Sequence, residues 1–371
     1  MSGKLLFFAS DYQIGLSSLL TDQAIALHTG HVPLICVCGE KEQEQGLRNL
    51  LREKGVPFQV IQGLDTHSSV LHLARSIFSI IRHDEISVIH VQNNWQLALT
   101  FLVRIRFLFK KKLSVVYTLH GFRHNSLIKS IMARVVIGAA LLVATSRIIC
   151  MSQYLASVFS PLKWKISIIP LGIPEIFFER RSLPDIQKEG LQIIYPAQFR
   201  KGKNQNIVIK AFADYLKQSG DTKSRLCLPG SGDLLGEMKE EAKSMNISER
   251  VSFPGQCTKK QVFSLYQQHN IAVVASNRET FGQSIVEPFC MGRLVISRNV
   301  GIAPDIITHG KNGFLFDSAE DLTKIFLQIQ DYSSLTLFTE ETKKKAQLFT
   351  WENIVPRLKK IYFSNHEPTK Q

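Results

Sequence analysis

Short apolar runs recur along the chain, each followed by a longer stretch in which apolar residues return every three or four positions. In the first half the runs are Leu5–Ala9, Pro33–Cys38, Pro57–Ile61, Ser87–Val91, Ser114–Leu119, Arg147–Met151 and Lys165–Ile169. They are rich in Val, Ile and Leu and are bounded by Gly, Pro or polar residues, which predicts strands buried on both faces. The stretches between them, among them Leu16–Leu27, Glu42–Lys54 and Ser68–Ile81, carry the helical period. Strand and helix in steady alternation predict right-handed βαβ units and a doubly wound parallel sheet.

The pattern stops and starts again. Residues 172–190, GIPEIFFERRSLPDIQKEG, hold two prolines, two glycines and mixed charges, and predict a linker. Beyond it come Gln192–Ala197, Arg225–Leu228, Val251–Phe253, Ile271–Ala275, Leu294–Ser297 and Gly313–Phe316, again alternating with helical stretches. Two tandem Rossmann-like α/β domains follow, spanning 1–171 and 191–349. Ligands are expected in the crevices at the carboxyl ends of their strands. The last apolar-periodic stretch, TWENIVPRLKKIYF at 350–363, predicts an amphipathic helix with Thr350 as its cap.

Composition narrows the class. A chain of 371 residues with 44% hydrophobic content has room for two cores. Its six cysteines show no CxxC pair or zinc spacing and mostly sit in apolar runs, which reads as reduced core thiols in a cytosolic protein. The start, MSGKLLFFASDYQIG, is a first strand rather than a signal peptide. The net charge of +14 is concentrated: no Asp or Glu occurs between Glu85 and Glu175, where eleven Lys or Arg do. Residues 97–113 and 128–147 are both apolar and basic, yet each carries Arg within its apolar run, so neither is a spanning helix. An anionic membrane surface is the partner such a face fits. No nucleic-acid module is visible, and nucleic acid is not expected as a partner.

The chemistry concentrates between Glu279 and Ile307. Glu279 and Glu287 lie eight residues apart, with a turn at Phe281-Gly282-Gln283-Ser284 opening a helix between them. Free amides at a helix start bind phosphate. Carboxylates on either side accept hydrogen bonds from sugar hydroxyls, so the arrangement suits a nucleotide-sugar. Together with Gly292, Gly301, Pro304 and Asp305, this segment resembles the signature of retaining GT-B glycosyltransferases, the "glycosyl transferases group 1" class of family 4. The resemblance is specific in the second half of the chain and loose in the first. It implies a GT-B fold, two Rossmann-like domains facing across a cleft, with a terminal helix from 350 crossing back to the first domain.

The resemblance also implies roles. Glu279 would hold the donor sugar hydroxyls and Glu287 the ribose. The segment Ala197-Gln198-Phe199-Arg200-Lys201-Gly202-Lys203-Asn204-Gln205 is similar to the family's phosphate-binding stretch and places Lys203 on its lysine. Gln198 stands where the family has an arginine, a departure that Arg200, two residues on and starting from a different place, would have to offset. Gly230, in Pro229-Gly230-Ser231-Gly232-Asp233, and Gly255 with Gln256 fall in loops beside the nucleotide. Gly15, where the family has two glycines, would lie near the phosphates. In the first domain, Thr118-Leu119-His120-Gly121-Phe122 resembles the element whose histidine lies near the transferred sugar. Asn93 and Asn94, with His90 and Trp95, are candidates for the acceptor side.

The implied activity is transfer of a sugar from a UDP- or GDP-sugar to a saccharide or lipid-linked acceptor, with retained configuration. It would serve cell-surface polysaccharide or lipopolysaccharide synthesis on the inner face of the cytoplasmic membrane. His120, Glu279 and Lys203 would carry the reaction. No cofactor and no metal are expected, because helix amides and Lys203 would meet the developing charge. The alternative is a GT-B-shaped binding protein that no longer transfers, which the Gln198 departure and the thinned glycine loop favour. An epimerase or phosphorylase on a similar fold is the lesser alternative, and the length disfavours the latter.

Overall fold

The computed structural model describes residues 3–9, 14–40, 44–62, 64, 70–107, 113–120, 138–139, 141–157, 160–179, 186–330 and 340–363. Asp11–Gln13 of the first loop, Gly121 and Phe122, and much of the basic segments, including Lys110–Lys112, Arg123, Lys129 and Arg134, lie outside the described residues. The chain divides into two compact units. One comprises Met1–Gly172 and Trp351–Gln371, the other Ile173–Thr350.

All thirteen runs read as strands form strands. In the first unit these are β1 (Lys4–Phe8), β2 (Leu34–Cys38), β3 (Phe58–Val60), β4 (Ile86–Val91), β5 (Ser114–Leu119), β6 (Arg147–Cys150) and β7 (Ile166–Ile168). They make one parallel sheet in the order β3-β2-β1-β4-β5-β6-β7. Successive residues of the central strands alternate between two cores. Leu6, Phe8, Ile35 and Val37 face the helices Val70–His83 and Asn94–Phe107. Leu5, Phe7, Leu34 and Cys36 face the helices Ile14–Thr29 and Trp351–Phe363. Both faces of these central strands are covered, and for that reason they read as unbroken apolar runs.

The terminal helix Trp351–Phe363 belongs to the first unit in packing although it is last in sequence. Its Ile354, Val355, Leu358 and Tyr362 are buried in the second of those cores. Gly172 has no Cβ because the Trp351 ring occupies that space. Arg357 donates to the Ile168 carbonyl at 2.6 Å.

The second unit holds β8 (Gln192–Ile194), β9 (Arg225–Cys227), β10 (Val251–Ser252), β11 (Ile271–Val274), β12 (Leu294–Ser297) and β13 (Phe314–Leu315). Its sheet, also parallel, has the order β10-β9-β8-β11-β12-β13. Helices Lys259–Gln268 and Ala319–Ile329 open with reciprocal capping boxes, Thr258 with Gln261 and Ser318 with Asp321. From Ile173 the chain already packs with this unit: Phe177 is buried and meets Phe263 and Tyr266 edge-on. Five of the six cysteines are buried, and all six are free thiols.

Leu358 tests the attachment of the terminal helix. Leu358→Ala should destabilise the first unit by about 2–4 kcal/mol, the usual cost of a core cavity, in chemical denaturation. A loss below about 1 kcal/mol would mean the helix is only loosely seated.

Candidate functional site

Each sheet has one place where the strand order reverses, and there two neighbouring strands send their following helices to opposite faces. The ends of those strands open a crevice. In the second unit the reversal falls at β8, which lies between β9 and β11. The loop after β8 carries Lys203 and the loop after β11 carries Glu279. Their side chains meet: Lys203 Nζ lies 2.5 Å from Glu279 Oε1, with both groups mostly buried.

The pair is held by its backbone. Asn204, next to Lys203, takes a left-handed conformation at φ 54° and donates to the Ala275 carbonyl at 2.9 Å and to Asn277 Oδ1 at 2.6 Å. The Asn277 amide returns a bond to the Gly202 carbonyl at 2.8 Å. The buried Tyr195 hydroxyl donates to the Lys203 carbonyl at 2.7 Å and lies 2.9 Å from Ser276 Oγ. Burial raises the Tyr195 pKa, so the phenol stays neutral and stays a donor. Four bonds thus lock the β8 loop to the end of β11.

The glycine loop after β9 is tied to the same frame. Gly230 bonds to the Gly255 carbonyl at 2.7 Å, and Phe199 to the Ser231 carbonyl at 2.9 Å. A side chain at Gly230, whose φ is 152°, would strike the Ala197 carbonyl. Glycine is needed there for the loops to approach. Gln256 is exposed, with Oε1 accepting from Ser231 Oγ at 3.4 Å.

Beyond Glu279 the chain enters the helix Gln283–Cys290. Gly282 is its N-cap and no side chain caps it, so the amides of its first turn, at Gln283 and Ser284, meet no capping group. Gly301 lets a second loop reach this turn. A Cβ at Gly301, where φ is 57°, would press on the Phe281 carbonyl and on Glu279 Cβ, while Ile302 N bonds to Phe281 O at 2.9 Å. Phe281 itself turns inward onto Phe349, ring centroids 6.1 Å apart, so its side chain is structural. Glu287 is buried in the helix, and burial pushes its carboxyl up to about 7, with Lys259 pulling it back. Gln283 Nε2 is buried with no hydrogen-bond partner. Gln198 and Arg200 are both exposed; the Arg200 carbonyl accepts from the Lys203 amide at 3.1 Å, but no side-chain bond described takes either residue to the Lys203–Glu279 pair.

In the first unit the reversal falls at β1, between β2 and β4. Gly15 is the second residue of the helix that follows β1. At the end of β5, His120 Nε2 lies 2.9 Å from Gln92 Oε1. An amide oxygen only accepts, so His120 is protonated on Nε2 and keeps a lone pair on Nδ1, given this orientation of the Gln92 amide. Desolvation holds His120 down at about 4, and the ring is neutral near pH 7. His90 continues the chain. Its Nε2 lies 2.7 Å from Thr118 Oγ1 and its Nδ1 2.8 Å from the Tyr362 hydroxyl of the terminal helix.

His90 is fully buried, which corrects its reading as an acceptor-side residue: its ring fills the core between β4 and the terminal helix. Trp95 packs against the sheet core. Asn93 Oδ1 accepts from the Gln96 amide at 2.8 Å, capping the helix, and Asn94 Oδ1 accepts from the Tyr117 hydroxyl at 2.7 Å. Gln92 and Tyr362 went unmarked in the sequence. Gln92 follows a strand end beside two singled-out asparagines, a usable signal. Tyr362 lies 272 residues from His90 and gave none.

Comparison with known proteins follows this division. The family model described as Glycosyl transferases group 1 matches residues 178–347, and the one described as Glycosyltransferase Family 4 matches residues 15–175. Alpha-monoglucosyldiacylglycerol synthase of Streptococcus pneumoniae is 26% identical over 273 residues, 67% of this chain and 60% of that one. N-acetyl-alpha-D-glucosaminyl L-malate synthase of Bacillus anthracis is 26% identical over 202 residues, 52% of this chain and 51% of that one. The chain therefore spans between half and two thirds of the length of these two relatives. Among solved structures, Anabaena HepE in complex with UDP superposes with a TM-score of 0.77 at 18% identity, covering 97% of this chain and 99% of that one. The lipopolysaccharide outer core galactosyltransferase WaaB gives 0.68 at 13% identity, covering 96% and 98%. One model takes the first unit and the other the second, both sheets are parallel, and the neighbours are GT-B proteins: the chain belongs to the group 1, family 4 glycosyltransferases of GT-B fold.

Proposed function

We propose that the protein transfers a sugar from a nucleotide diphosphate-sugar to a hydroxyl of a saccharide or lipid-linked acceptor, retaining the anomeric configuration. The observation that carries this reading is the Lys203–Glu279 pair at the strand-order reversal, beside the uncapped start of the helix Gln283–Cys290. A cation, a carboxylate and free helix amides are the three groups that a sugar diphosphate needs. Lys203 would leave Glu279 for the diphosphate, and Glu279 would turn to the sugar hydroxyls. The second unit would bind the donor.

In the reaction the bond from the anomeric carbon to the phosphate oxygen breaks, and its electron pair leaves with the phosphate. The acceptor oxygen bonds to the same face of that carbon, and its proton passes to the departing phosphate oxygen. Lys203 and the amides at Gln283 and Ser284 stabilise the charge as it grows. The neutral His120, protonated on Nε2, would accept at Nδ1 from a sugar hydroxyl. These groups take the part a divalent metal plays elsewhere. Two similarities support the setting: the pneumococcal relative is named for a glucosylated diacylglycerol product, and HepE was crystallised with UDP. With the acid-free basic stretch between Glu85 and Glu175, they favour a lipid-linked acceptor in surface-glycan synthesis at an anionic inner membrane face. Among the described residues no helix is long and apolar enough to cross a membrane.

Glu279→Ala, assayed for transfer or slow hydrolysis of a donor, should lose about 100-fold or more in kcat with an unchanged circular dichroism spectrum. Full turnover in that variant would remove Glu279 from the site, and a folded wild type that binds donor without ever cleaving it would favour the binding-protein reading. Turnover should survive excess chelator; a strict Mn²⁺ or Mg²⁺ requirement would contradict the part given to Lys203.

Glu287 carries a prediction about pH. A carboxyl whose folded pKa is raised favours its protonated form, so its contribution is fully present below the unfolded value and is lost as pH rises towards 7. Glu287→Gln removes that loss. The variant should gain about 1–3 kcal/mol on the wild type between pH 4.5 and pH 8. A difference constant across that range would show that Glu287 is not held neutral by burial.

A further inference from the structure

Leu142, Val143 and Trp164 are among the most exposed large apolar side chains of the first unit, at 48%, 61% and 65% of their full surface. One ammonium links the turn that carries the first two to the ring of the third. Lys165 Nζ donates to the Leu142 carbonyl and, at 2.6 Å, to the Thr145 carbonyl, closing the end of the helical turn that carries Leu142 and Val143. The same Nζ stands 4.9 Å from the centre of the Trp164 ring. The cluster lies at the amino ends of β6 and β7, the last two strands at that edge of the sheet.

Single exposed apolar residues are ordinary, but an exposed tryptophan grouped with two aliphatic residues calls for a partner. Charge identifies it. The cluster falls within residues 86–174, which contain no acidic residue, and exposed Lys163 and half-exposed Arg147 flank it. Asp84, at the start of β4, turns the other way, to Lys4 and Gln59. A second copy of the chain would bring the same positive charge to the contact and be repelled. A bilayer with anionic headgroups offers neutralising charge outside and apolar depth beneath, and tryptophan favours that boundary.

We propose that Leu142, Val143 and Trp164 form a wedge that enters the headgroup layer of an anionic membrane, with Lys163 and Arg147 on the headgroups around it. This rests on the membrane setting proposed above and gives it a place. The basic residues supply attraction that salt weakens; the wedge supplies hold that salt does not.

The test is co-sedimentation of the full chain with vesicles of phosphatidylcholine, alone or mixed with phosphatidylglycerol, at low and high salt. The wild type should bind the mixed vesicles, keep part of that binding at high salt, and shift its tryptophan emission to the blue. Trp164→Ser and Val143→Ser should keep the wild-type melting temperature, and each should partition about tenfold more weakly. Trp164→Ser should also abolish the emission shift. Variants that bind and shift like the wild type would overturn the wedge and leave the membrane setting standing. A wild type that ignores anionic vesicles would overturn both. Self-association of the wild type that Trp164→Ser abolishes would assign the cluster to a second copy and refute the proposal.

Discussion

An ammonium and a carboxylate 76 residues apart in sequence, Lys203 and Glu279, meet at 2.5 Å where the order of the second sheet reverses. Much of the second unit can be understood as the means of holding them there. β8 and β11 are neighbours, so the loops that leave their carboxyl ends begin side by side. Asn204, through Ala275, and Tyr195, through Ser276, then fasten one loop to the other, and Gly301 admits a third loop against Glu279. Desolvation of each charge is offset by the other. In the proposed reaction a diphosphate would offer Lys203 a stronger partner and leave Glu279 for the sugar.

The first unit arranges polar groups differently. Its neutral histidines are joined by amide and hydroxyl groups rather than by charges, from His120 through Gln92 to His90 and Tyr362. Burial lowers the pKa of both rings, so neither brings a positive charge into the core near pH 7. The terminal helix thereby takes part in fixing one end of the sheet that carries His120, besides covering its apolar face. A ring held in one tautomer presents a defined donor and a defined acceptor.

The strands were legible because both faces of each sheet are covered, which leaves unbroken apolar runs such as Leu5–Ala9 and Leu294–Ser297. The helix after Gly282 was legible from its turn residues, although it begins at Gln283, two residues before the apolar stretch. Roles that depend on which way a side chain turns were not legible. Phe281 stood in the signature and faces the core; His90 stood at a strand end and is sealed under Tyr362. The left-handed turn at Asn204 is a local feature, yet its purpose, reaching Ala275 and Asn277, depends on a strand pairing across 71 residues and more. The apolar-basic segments showed only that an unusual surface existed; the ammonium of Lys165 is what groups part of it.

If the Lys203–Glu279 pair opens to receive a sugar diphosphate, donor affinity must depend on Lys203. Calorimetric titration of UDP-, GDP- and ADP-sugars against the wild type and against Lys203→Met tests it most directly. At least one donor should bind the wild type and bind the variant about 10- to 100-fold more weakly, the worth of one charge-assisted contact. A donor that binds both proteins equally, or a folded wild type that binds none of them, would contradict it.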